Sequence, residues 1–193
     1  NGLGYAKQAI SADAKHFDEL REKLVKYEEI SDRIEYEIAA FLNGVSAGDI
    51  SEATSMKIKA MYKIIGELES LGDSGEAISR MLSRRNEHKK TFSAETIDNI
   101  NLMLEKVDKA YEVMIANLNA AHEGTLTSIT NAYNAEEQIN TLRNELREAE
   151  IEALEDNDKN YQTSVYYIDI INELEHMGDF MINISQSLER AFV

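Results

Sequence analysis

Four pairs of residues in this chain set two oxygen donors one helical turn apart: Glu28/Asp32, Glu69/Asp73, Glu136/Asn140 and Glu175/Asp179. Side chains four apart share a helix face, so each pair aims both donors the same way. Two such faces side by side would gather three or four carboxylates. That donor set suits a hard or borderline cation: Mg²⁺, Ca²⁺, Mn²⁺, iron, or Zn²⁺ with its weaker preference for oxygen. A solvated acidic face gives the same pairs, and 36 Asp and Glu produce them readily by chance. Recurrence sets two of them apart. Glu67-Leu-Glu-Ser-Leu-Gly-Asp73 and Glu173-Leu-Glu-His-Met-Gly-Asp179 share one pattern, each with an isoleucine five residues on (Ile78, Ile184). Asp73 and Asp179 lie 106 residues apart, and the doubled motif reads as an internal repeat. A repeated packing device, with glycine for close contact and carboxylates for caps or ion pairs, fits the same residues.

Other chemistry is thin. Glu173-Leu-Glu-His176 supplies one Glu-x-x-His of a di-iron carboxylate bundle, which needs two, and Ser70 stands at the matching place in the first copy. The chain carries no glycine-rich phosphate loop, nucleophile elbow or catalytic dyad, so an enzyme is not expected. Absence of cysteine excludes disulfides and thiolate metal sites and suits a reducing cytoplasm. A formal charge of −16 repels nucleic acid and anionic membrane but suits cations or a basic partner protein. No apolar run approaches the ~20 residues of a membrane span, so direct insertion of this segment is not expected. The basic run at residues 84–90 reads as a linker or partner contact. His16, His88 and His122 read as surface residues; Met103, Met114, Met177 and Met181 read as core.

The elements that must position the pairs are helices. Proline, which removes an amide donor and clashes with the preceding turn, is absent from all 193 residues, and glycine numbers nine. Helical periodicity predicts a first helix over about residues 5–42, with a break near 11–17. Its seam is Leu20, Leu24, Tyr27, Ser31, Ile34, Ile38 and Phe41. Glycines in the stretch 43–48 should end it in a left-handed cap. Asp49 or Ser51 caps a second helix to about Asn86, with the seam Ile64, Leu68, Leu71, Gly75, Ile78 and Leu82. In that heptad frame Glu69 and Asp73 point outward, while Gly66, Gly72 and Gly75 permit close helix approach. Ser93 caps a third helix to about His122, a turn follows at Gly124, and a fourth helix covers residues 125–154. A loop over 155–160 leads to a last helix ending at Phe192, whose seam is Ile170, Leu174, Met177, Met181, Ile184 and Leu188.

The repeat extends upstream, because Glu28-x-x-x-Asp32-Arg-Ile34 aligns with Glu136-x-x-x-Asn140-Thr-Leu142 at an offset of 108. The fold class is therefore all-α: two tandem three-helix bundles of antiparallel helices, residues 1–90 and 91–193. Helix 93–122 has no full counterpart before residue 28, so the first copy's opening helix looks truncated.

These motifs resemble those of the PhoU family, over about residues 28–188. The stretch Tyr27-Glu-Glu-Ile-Ser-Asp-Arg-Ile-Glu-Tyr-Glu-Ile38, followed by Phe41-Leu42, is most similar to the PhoU-like C-terminal cytoplasmic domain of bacterial Na⁺/phosphate cotransporters. The resemblance implies tandem three-helix bundles that bind metal (Fe, Mn, Zn or Mg) on their surface through Glu28, Asp32, Glu69, Asp73, Glu136, Glu175 and Asp179. Asn140 stands where that pattern has Asp, Ser70 and His176 where it has Arg, and Ser74 and Phe180 where His is frequent. It further implies a non-catalytic regulator of phosphate uptake in the cytoplasm, tethered to the inner face of the membrane by a transporter domain of the same polypeptide. A homodimer is compatible with it. The rivals are a free-standing PhoU-type regulator of a phosphate ABC transporter and sensor kinase, a metal-free spectrin-like structural bundle, and the di-iron enzyme built on Glu173 and His176.

Overall fold

The computed structural model of the chain describes residue 4 and residues 8–10, 14–155 and 160–193. Five long helices follow in order: α1 (Ala14–Ser46), α2 (Glu52–Glu87), α3 (Ala94–Glu123), α4 (Thr130–Glu155) and α5 (Tyr161–Phe192). Residues 8–10 are also helical, and Ala9 and Ile10 are buried in the core. No strand occurs among the described residues. The expected helix start at residue 5, the break near 11–17 and the loop at 155–160 fall partly outside the described residues.

The N-caps follow from local chemistry. Ser51 and Ser93 have extended backbones, and their hydroxyls accept from the amides of Thr54 and Thr96, each at 3.1 Å. Asn160 caps α5 by accepting from Thr163 N at 3.3 Å. Gly124 closes α3 in the left-handed region at φ 71°. The expected left-handed glycine at 43–48 is not found. Helix α1 runs through Gly44 to Ser46, whose hydroxyl donates to Leu42 O at 2.8 Å. The left-handed residue after α2 is Lys89, at φ 53°. Helix α4 starts five residues later than expected, at Thr130. Leu126 and Ile129 are buried in the core from an irregular segment there, so burial overrides local helical preference.

Helices α3, α4 and α5 all touch one another, while α1 packs on α2. The most extensive contact joins α2 to α5. Asn183 donates to Glu67 Oε2 at 3.3 Å, and Lys57 lies 5.2 Å above the Phe192 ring, so these two helices run antiparallel. One core runs through both halves, from Leu20, Ile78 and Leu82 through Leu104 and Ile139 to Ile170, Leu174 and Ile184. The four methionines read as core are all buried in it.

Candidate metal centre

The glycine of the doubled motif sits against α1 with no room for a side chain. A Cβ on Gly72 would lie 2.9 Å from Ser31 Oγ and 3.1 Å from Ser31 Cβ, so Ser31 would have to shift to admit it. The repeat keeps this contact. Gly178, the counterpart of Gly72, meets Ile139, the counterpart of Ser31, with a built Cβ 2.9 Å from Ile139 Cδ1. Of the other expected close approaches, Gly75 makes ordinary contact with Leu24 at 3.5 Å, and Gly66 has nothing within 4 Å.

The residues one step beyond this contact, Asp32 on α1 and Asp73 on α2, are thereby brought together. With Glu28, one turn back on α1, they place one carboxylate oxygen each within 4.8 Å of one another. Among the described residues this is the grouping of three or more acidic or histidine side chains close enough to share a cation. Asp32 and Asp73 are exposed and Glu28 is half-buried, so the cluster faces solvent as its outward heptad positions require. Glu69, half-buried and one turn before Asp73, stands beside it.

Like charges crowd this end of the pair. The Glu28 carboxyl is raised above its ordinary value by desolvation first, then by Asp32, Glu76, Asp73 and Glu29. Glu69 is raised by burial first, then by Asp73, Glu35 and Asp32. Arg80 is engaged nearby with Glu76 at 2.6 Å. Among the described residues no lysine or arginine pairs with Glu28, Asp32, Glu69 or Asp73. Three hard oxygen donors with surplus negative charge and solvent access fit Mg²⁺, Mn²⁺, Ca²⁺ or iron, with water completing the shell.

The second copy is arranged differently. Asn140 donates its amide to Glu136 Oε1 at 2.5 Å, tying that pair to itself. Glu175 is buried rather than outward, and Arg143 Nη2 donates to its Oε1 at 2.6 Å. Asp179 is half-buried. Its carboxyl is raised by burial first and by Glu175, partly offset by His176 and Arg143. A guanidinium thus supplies the positive charge here. At the repeat offset of 108, Arg143 corresponds to Glu35 in the first copy, so an arginine in one half is a carboxylate in the other. Sequence reading passed over Arg143 and Glu76, and this alignment was the available signal for the first. The di-iron arrangement is not formed. The His176 side chain is 55% exposed, and its ring nitrogens lie 3.8 Å from Glu173 and Glu175.

No family model matches the sequence, and no curated protein is detectably similar to it. Solved structures are similar in shape. The phosphate transport system regulatory protein PhoU from Streptococcus pneumoniae superposes with a TM-score of 0.74 at 19% identity, over 97% of this chain and 86% of that one. PhoU from Pseudomonas aeruginosa does so with a TM-score of 0.67 at 15% identity, over the same 97% and 86%. At these identities the likeness speaks for architecture: this chain has the all-helical bundle fold of PhoU proteins.

Proposed function

We propose that the chain is a non-catalytic regulatory domain of phosphate uptake, acting in the cytoplasm as the PhoU-like part of a Na⁺/phosphate cotransporter. The PhoU fold carries this reading. The first-unit stretch Tyr27–Leu42 adds the cotransporter context through its motif resemblance. No described helix is long and apolar enough to cross a membrane, so the tether would be a transporter domain outside this segment.

In this reading Glu28, Asp32 and Asp73 hold a divalent or iron cation, with Glu69 in reach. Bound metal would supply positive charge where these three carboxylates face one another, locking α1 to α2 at the Gly72 contact. Glu136, Glu175 and Asp179 form the weaker half, because Arg143 already neutralises Glu175. Regulation then consists of docking on the transporter with a surface whose shape depends on that lock. A free-standing PhoU-type regulator fits the fold equally, since the similarity spans 86% of the PhoU chains. An upstream run of membrane spans in the full polypeptide separates the two.

The test is phosphate uptake by cells carrying the intact transporter, with Glu28→Gln and Asp73→Asn introduced together. Uptake should lose its normal dependence on external phosphate while protein level holds. Unchanged regulation in that variant would sink the proposal.

A further inference from the structure

The internal repeat shows what the first unit leaves open. On α5, Leu174 is 0% and Tyr167 1% exposed, with α3 packed along the helix. Their counterparts on α2 at the repeat offset, Leu68 and Met61, are 37% and 38% exposed. On α1, Ile34 and Ile38 of the expected seam are 49% and 37% exposed. Ile34, Ile38, Ile65 and Leu68 line a groove of ≈ 520 Å³ that Glu35 and Glu69 also border, with Gly4 at the chain's start and Asp108 and Tyr111 of α3 on its other sides. The spacings along its walls, four on α1 and three on α2, are those of helix faces made for a third helix.

Charge decides what kind of helix. Glu175, the counterpart of Glu69, is held by Arg143, whose own position in the first unit is Glu35. The groove therefore carries three carboxylates, Glu35, Glu69 and Asp108, where the repeat shows a carboxylate taking a guanidinium. A second copy of this chain would bring another −16 of charge to the same rim, which disfavours self-association through it.

We propose that this groove docks an amphipathic helix of a partner protein. Its apolar stripe would lie on Ile34, Ile38 and Leu68 above the buried Ile65, and a lysine or arginine at the stripe's border would reach Glu35 and Glu69. Helix-in-groove recognition of this kind uses anchors at i, i+3 or i+4, and i+7. The inference deepens the docking half of the functional reading and rests on it for the partner being a transporter; Glu69 is shared with the metal half, so the charge variant is made at Glu35.

The test uses the whole purified chain and two labelled synthetic helical peptides with one apolar stripe, bordered by lysine in one and glutamate in the other. The lysine peptide should bind, measured by fluorescence anisotropy, and the glutamate peptide should not. Leu68→Glu should weaken binding at least about tenfold, the loss of one buried anchor. Glu35→Gln should weaken it severalfold, with helical content unchanged in both. Equal binding of the two peptides, binding indifferent to Leu68→Glu, or no binding overturns the proposal. A dimer in sedimentation that Leu68→Glu dissolves also overturns it, since the face then belongs to a second copy. Metal content is read on the same samples. Lost peptide binding with metal retained indicts the groove alone, and lost metal with binding retained indicts the carboxylate site alone.

Discussion

At Gly72 the space for a methyl group is already occupied by Ser31, and that contact sets the distance between Asp32 and Asp73. Alanine in a helix interior is worth roughly 1 kcal/mol over glycine where there is room. Gly66→Ala should therefore raise stability by about that much, because nothing stands within 4 Å of its Cβ. Gly72→Ala should lower stability by about 1 kcal/mol, since overpacking costs roughly 1–3 kcal/mol and outweighs the helical gain. It should also weaken metal binding by pushing α1 away. Urea denaturation of both variants checks the opposite signs. The raised carboxyls of Glu28 and Glu69 make a second prediction. A folded state that raises an acid's pKa holds its proton more tightly than the unfolded chain does. Metal-free protein should therefore gain stability as pH falls through the raised values, and lose it as pH rises through them. Glu69→Gln should flatten this dependence in thermal melts taken from neutral pH downward. The carboxylates and the glycine were legible because they recur. What sequence could not show was that Glu175 is buried: its heptad position is the same as that of Glu69, and only packing against α4 with Arg143 distinguishes them.

Helix pairs carry the next level. In the α4–α5 pair Arg143 and Glu175 have side chains 24% and 11% exposed, so neither is well hydrated. Removing the guanidinium leaves a largely buried carboxylate without its cation, which costs more than the pair itself contributes. Arg143→Met should destabilise the protein by roughly 2–3 kcal/mol, and Arg143→Met with Glu175→Leu should recover most of it. Chemical denaturation of the two variants decides. The α1–α2 pair has no such internal cation among the described residues, and in the proposed function a bound metal would take that place. Helix positions were readable where a side chain does the capping, as at Ser51 and Ser93. They were misread where tertiary burial decides. Leu126 and Ile129 look helical in sequence but fill the core from a non-helical segment. The glycines at 44 and 48 look like a helix stop, yet α1 continues past the first of them.

Across the whole molecule, two copies of one design have diverged in what they cover. The second copy closes three helices over Leu174 and Tyr167. Burial pushes the Tyr167 hydroxyl up to about 12. Among the described residues of the first copy, the matching face of α1 and α2 keeps Leu68 37% and Ile34 49% exposed. Leu174→Ala should cost about 2–5 kcal/mol, as deletion of a fully buried leucine does, whereas Leu68→Ala should cost well under that. The sequence showed unequal halves through Asn140 and the shortened first helix; the arginine that neutralises Glu175 is an asymmetry that periodicity does not record. Metal should act on the whole fold as a ligand of the native state. At a hundredfold excess over its dissociation constant it should add about 2.7 kcal/mol, or roughly 5–10 °C in Tm for a chain of this size.

The decisive measurement is metal content by elemental analysis after loading with Mn²⁺, Fe²⁺, Zn²⁺ or Mg²⁺ and removal of free ion. It is made on the natural sequence, on Asp73→Asn and on Asp179→Asn. Stoichiometric metal that is lost in Asp73→Asn and kept in Asp179→Asn is the expected result. It would place the cation on Glu28, Asp32 and Asp73. A natural sequence that takes up no metal, or an Asp73→Asn chain that keeps it, would contradict that assignment and leave the carboxylates as a solvated face of the bundle.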